Sequence, residues 1–97
     1  MLQLRFHPEE EIDVAESHGW YQEMAQGLGD DFLTELEESY QAILELPDTW
    51  PKFKRGFRRY LLSRFPFAVL YKKLGDMIYI VAIMLQSRRT NYWLDRV

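Results

Sequence analysis

The sequence reads as an α+β domain, in which one strand, a two-helix antiparallel hairpin and a three-stranded antiparallel meander follow in turn, the helices lying on one face of the sheet. Three observations predict it. Leu2, Leu4 and Phe6 alternate with polar neighbours; two stretches with apolar residues three and four apart follow, divided by glycines; and the second half is rich in Ile, Val and aromatic residues around a Gly75-Asp76 turn. With 97 residues, 47% of them hydrophobic, the chain can bury enough apolar surface to order itself as a single domain spanning 1–97.

The alternation from Leu2 to Phe6 is that of a half-buried strand, ended by Pro8, whose missing N–H suits the first turn of a helix. From Glu9 the spacing is helical, with Ile12, Ala15, Tyr21, Met24 and Leu28 as the expected inward face. Glu9, Glu10, Glu11 and Asp13 lie where the helix dipole favours negative charge. Gly27 to Gly29 supplies the stop. Asp30 or Asp31 is the expected cap of a second helix whose apolar positions Phe32, Leu33, Leu36, Tyr40, Ile43 and Leu44 keep the period closely, until Pro47 and Pro51 end it. Strands are expected at Arg58 to Leu62, Phe67 to Lys72 and Met77 to Leu85, with Pro66 at a strand start and Gly75-Asp76 turning the hairpin. The remainder, Ser87 to Val97, reads as a tail or short helical turn. This order leaves the second face of the sheet uncovered.

Charge is divided along the chain. Up to Pro51 there are thirteen acidic residues and one basic residue, Arg5; beyond it there are eleven basic residues and two acidic ones, although the net charge is only −3. Lys52, Lys54, Arg55, Arg58, Arg59 and Arg64 fall close together, and such local density attracts phosphate or an acidic protein segment whatever the total. Arg64 before the Phe65-Pro66 step, and Arg88 and Arg89 after the last strand, are expected at one end of the sheet, with Tyr71, Tyr92 and Trp93 adding aromatic surface. Cations neutralise phosphate while rings stack on bases, so this is a binding pattern for nucleic acid or for an acidic protein strand. The alternative is pairing of these cations with the acidic helices of the same chain, worth only about 0–1 kcal/mol per surface pair.

Catalytic patterns are sparse. The sequence has no phosphate loop, dinucleotide glycine pattern, serine elbow or paired histidines at metal spacing, so no cofactor and no metal are expected. His7 and His18 read as ordinary side chains, and the helix carboxylates as a solvated face. The absence of cysteine, of a leader-like apolar stretch and of a membrane-length apolar run leads to the expectation of a cytoplasmic protein with no membrane contact.

Taken together, the order of elements, the Gly27-Leu28-Gly29 and Phe32-Leu33 run, the Arg64-Phe65-Pro66-Phe67 step towards Tyr71, and the Arg88 to Trp93 tail resemble the RelE/ParE toxin superfamily, nearest its ParE-like plasmid stabilisation branch. The resemblance implies the toxin of a type II toxin–antitoxin pair, inhibiting growth until a cognate antitoxin wraps it, with DNA contacted only indirectly through that antitoxin. It implies one of two targets, DNA gyrase or messenger RNA on the ribosome. For a ribosome-dependent endonuclease the residues implied are Arg59, Arg64, Tyr71, Arg88 and Tyr92; for a toxin that acts by binding they are Arg58, Arg64, Arg88, Arg89, Tyr92 and Trp93. Nuclease relatives place further basic residues where this chain has Leu61 and Ala68, and many carry a histidine where Leu85 stands, so the comparison points to binding over hydrolysis. A third alternative is an inactive relative that only binds its antitoxin. The antitoxin is expected to offer an acidic or mixed segment with apolar anchors, adding a strand to a sheet edge.

Overall fold

The structure is a computed structural model and describes residues 2–86 and 92–96. Strand β1 (Gln3–Phe6) leads into helices α1 (Glu10–Met24) and α2 (Leu28–Glu45), followed by β2 (Arg58–Leu61), β3 (Phe67–Leu74), β4 (Met77–Leu85) and a 3-10 turn at Tyr92–Arg96. The sheet order is β1-β4-β3-β2. β2, β3 and β4 form the expected antiparallel meander, and β1 closes the far side by pairing parallel to β4. Central strands need apolar side chains on both faces, which is why β3 and β4 read as nearly continuous apolar runs.

The hairpin of α1 and α2 covers one face. Phe32, Leu36, Tyr40 and Ile43 of α2 meet Val69, Tyr71, Ile78 and Ile80 in one buried cluster. At its end Tyr21, Phe32, Phe65 and Phe67 pack mostly edge to face, with centroids 4.9 Å apart for Tyr21–Phe65 and 5.4 Å for Phe32–Phe65. The apolar period of α2 therefore gave its inward face correctly. That of α1 did not. Ile12, Ala15 and Met24 are exposed, and the packed side is formed by Glu10, Val14 and Tyr21. Apolar residues of α1 are scattered around its circumference, so its rotation is set by tertiary contacts rather than by a stripe.

Two glycines explain one of those contacts. Gly27, at φ 83°, precedes α2 in the left-handed region, and Asp30 and Asp31 sit in the first turn instead of capping it. Gly29 is buried at the point where α2 crosses α1. A Cβ there would stand 2.5 Å from the His18 carbonyl oxygen and 2.6 Å from Gln22 Cγ, and the Gln22 side chain accepts the Gly29 N–H at 2.7 Å.

The second face of the sheet is not uncovered. Phe57, Leu70, Val81, Ala82, Met84 and Trp93 form a second buried cluster there, flanked by Phe53, Tyr79, Tyr92 and Leu94. The connector folds back over this face as a tight turn, with Arg55 at φ 53° and Gly56 at φ 78°, the Phe57 N–H donating to the Lys54 carbonyl at 2.9 Å and the Phe53 N–H to the Phe57 carbonyl at 2.7 Å. The face is apolar because β3 and β4 cross the middle of the molecule.

The Gly29→Ala variant should lose about 1–3 kcal/mol in urea unfolding, because the extra methyl meets backbone that cannot yield. Gly19→Ala, where nothing lies within 4 Å, should gain about 0.5–1 kcal/mol from reduced chain entropy. Equal effects at the two positions would refute the close crossing.

Candidate functional site

The expected basic residues do not converge on one surface. Neighbours on a strand point to opposite faces, so Arg58 and Arg59 part company at once. Arg58 lies on the helical side, donating to the Trp50 carbonyl at 2.7 Å and standing 3.8 Å from Asp48. Beside it in the ladder, Tyr71 is fully buried and donates its hydroxyl to the Pro47 carbonyl at 2.6 Å. Burial pushes the Tyr71 hydroxyl up to about 12, against the opposing pull of Arg58. Both side chains thus tie the segment after α2 to the sheet. Arg64 is 63% exposed next to α2, with Asp31 at 3.5 Å. Its backbone N–H and that of Ser63 donate to Glu35, which fixes the loop into β3.

On the opposite face, Arg59 stacks over the Phe53 ring at 4.7 Å from the centroid, and Lys54 stands 5.6 Å from the same ring. Lys72 lies 5.2 Å from the centroid of Phe57 and donates to the Arg55 carbonyl at 3.1 Å. Lys52 and Arg55 are exposed on the same connector. Arg58 and Arg64 on the helical side thus stand beside carboxylates, Arg64 also lying 5.7 Å from the centroid of Phe65, while Arg59, Lys54 and Lys72 on the far face lie over aromatic rings. Trp93, expected in a contact surface, is fully buried against Phe57 at 5.3 Å and is a core residue. Its indole N–H has no hydrogen-bond partner among the described residues. Tyr92 is half-buried and donates to the Ile83 carbonyl at 3.3 Å. Arg88 and Arg89 lie outside the described residues. Lys72 and the Phe53–Phe57 turn were not singled out in the sequence; Arg55-Gly56 before a strand was the available signal.

A second constellation lies along β4. β1 pairs with β4 only from Met77 to Ile80, so from Val81 onward the outer edge of β4 has no described strand beside it. Side chains take the vacant backbone groups. Arg96 donates to the Val81 carbonyl at 3.1 Å, Asp13 accepts the Ile83 N–H at 3.2 Å, and Tyr92 donates to the Ile83 carbonyl. Arg96 and Asp13 also form a bidentate pair at 2.8 and 3.1 Å, with Glu9 at 3.3 Å from the Arg96 Nε. Val81 is skipped in the pairing of β3 with β4, since Leu70 faces Ala82 and Tyr71 faces Ile80.

Between this edge and α1 runs a groove of about 490 Å³, lined chiefly by Trp20, Tyr21, Met24, Phe67, Ile83 and Leu85, with Asp13 and Glu16 at its border. Nearby, Glu10 is buried and accepts the Tyr40 hydroxyl at 3.3 Å. Burial pushes its carboxyl up to about 7; the Tyr40 hydrogen bond opposes this, and the charges of Asp13 and Glu11 add to it. Among the described residues no cluster of three or more His, Cys, Asp or Glu is placed to hold a metal, and no helix is long and apolar enough to cross a membrane.

No family model matches the sequence, and no curated protein matches it. Among solved structures the chain is similar to one titled "Chromosomal ParDE TA system from P. aeruginosa", with a TM-score of 0.75 and 18% identity over 86% of this chain and 94% of that one. At that identity the likeness establishes the fold, which is the strand, helical hairpin and meander expected from the sequence.

Removing one partner of a buried bidentate pair strands the other charge, so Arg96→Ala should cost about 3–5 kcal/mol in urea unfolding; a loss below about 1 kcal/mol would show the pair to be solvated. Folding raises the Glu10 pKa, so the folded chain holds a proton that the unfolded chain releases between about pH 4.5 and 7. Stability from this residue therefore declines as pH rises through that window. Glu10→Gln should match the parent near pH 4 and exceed it at pH 8, as read by denaturant unfolding at both values.

Proposed function

We propose that this chain is the toxin of a type II toxin–antitoxin pair that arrests growth by binding its target, DNA gyrase, and is neutralised by a cognate antitoxin. The observation that carries this reading is the fold likeness to a chain of a ParDE system over nearly the full length of both. The ordered motifs of the sequence, from Gly27-Leu28-Gly29 to the Arg88 to Trp93 tail, support it independently.

The contact surface is assigned to the far face of the sheet, where Arg59, Lys54 and Lys72 lie over Phe53 and Phe57 beside exposed Lys52 and Arg55. Arg88 and Arg89 are proposed as further target contacts from the sequence alone. An arginine over an aromatic ring keeps its guanidinium N–H groups available to a carboxylate or phosphate, which a salt-bridged arginine does not. Binding is favoured over hydrolysis because RNA cleavage needs a proton acceptor, a donor and charge around one phosphate. Here Tyr71 is buried on the helical side, and Arg59 and Arg64 are set apart, one on the far face and one beside α2.

Inducible expression in a bacterium should arrest growth with signs of DNA damage, and co-expression of the protein encoded beside it should restore growth. Messenger RNA cut on translating ribosomes would replace gyrase by the ribosome as target, and unaffected growth would leave only an antitoxin-binding relative. Changing Arg59, Arg88 and Arg89 together to alanine should abolish arrest, while loss of the Arg59–Phe53 contact costs only about 0.5–1 kcal/mol of stability. A triple variant that arrests growth as the parent does would move the contact surface elsewhere.

A further inference from the structure

We propose that the cleft between the end of β1, the first turns of α1 and the middle of α2 is a binding site for an alkylammonium ion, its ammonium group held by Glu10. The site lies apart from the cationic far face, and the inference does not rest on the toxin reading.

Shape supplies the first argument. The cleft has a volume of about 280 Å³, near the lower limit of about 300 Å³ for small-molecule sites, so it suits a ligand of few atoms. Phe6, Val14, Leu33, Leu36 and Tyr40 line it, and Phe6, 41% exposed, packs edge to face against Tyr40 with centroids 5.4 Å apart. Such walls favour an apolar body, and an aromatic ring face attracts a cation.

Charge supplies the second. Glu10 is only 5% exposed yet lines the cleft, and the Tyr40 hydroxyl donates to its Oε1 at 3.3 Å, longer than the roughly 2.8 Å usual between oxygens. Its Oε2 has no hydrogen-bond partner among the described residues. A carboxylate buried among apolar groups is costly unless a cation stands beside it. None is supplied by the chain: among the described residues Glu10, Glu11 and Glu37, which all line the cleft, form no ion pair. Arg96, whose charge reaches Glu10, is held by Asp13 and Glu9. A metal ion is the poorer occupant, because these carboxylates form no metal-binding group and the apolar walls offer no oxygen ligands.

Protonation supplies the third. Burial raises the Glu10 pKa to about 7, opposed by the Tyr40 hydrogen bond from α2 and the charge of Arg96 from the C-terminal turn, and reinforced by Asp13 and Glu11 of α1. Glu37 of α2 borders the same space, and β1 contributes uncharged Phe6. An ammonium group pairs with the ionised carboxylate, so binding lowers the Glu10 pKa and releases a proton near pH 6. Affinity therefore rises with pH through about 7.

The test is titration of the free chain with butylamine, protonated throughout this range, read from the NMR signals of the Val14, Leu33 and Leu36 methyl groups at constant ionic strength. The dissociation constant should fall about tenfold from pH 6 to pH 8, because the ionised fraction of a carboxyl with a pKa of about 7 rises about tenfold across that window. At pH 8, Glu10→Gln should bind about tenfold more weakly than the parent. Butanol, which has the body without the charge, should bind the parent about tenfold more weakly than butylamine does. Equal affinity at the two pH values, equal affinity in Glu10→Gln, butanol binding as well as butylamine, or methyl signals that never shift would each overturn the proposal. The pH comparison uses the unaltered chain, so it decides the matter even if the variant does not fold.

Discussion

The carboxylate of Asp13 is the point at which the layers of this molecule are joined. It sits on α1, accepts the Ile83 N–H from β4 and holds both Nη atoms of Arg96 from the C-terminal turn. Burying two charges is costly, and the cost is offset only when the remaining donors and acceptors are also satisfied. Here the surplus capacity goes to the Ile83 N–H and the Val81 carbonyl, both on a stretch of β4 beyond the reach of β1. One pair thereby fixes the rotation of α1, closes part of an unpaired edge and seats the turn that brings Trp93 over the far face.

That arrangement divides the surface. The helical side carries carboxylates with arginines beside them, as with Arg58 at Asp48 and Arg64 at Asp31. On the other side, cations lie over phenylalanine rings on a turn held at positive φ. The strong charge asymmetry along the chain thus becomes an asymmetry in space, with Arg59 and Lys72 of the far face lying over Phe53 and Phe57.

Much of the fold was legible because its signals are local. α2 keeps the helical period through Phe32, Leu36, Tyr40 and Ile43, and the meander is marked by Pro66, Gly75-Asp76 and the apolar runs of β3 and β4. α1 was misread because Ile12, Ala15 and Met24 are apolar but lie away from the packed side. The aromatic surface expected at Tyr71 and Trp93 is core instead, since aromatic residues serve a core as readily as a surface and nothing in their sequence neighbours distinguishes the two.

Period, turn residues and charge order in the sequence determined the elements, their succession and the separation of acidic from basic segments, because each depends on neighbours within a few residues. Which face of α1 turns inward, that β1 stops short along β4, and that Asp13 meets an arginine 83 residues away were decided by the tertiary structure. These depend on contacts between residues far apart in the chain, where no local pattern constrains the outcome.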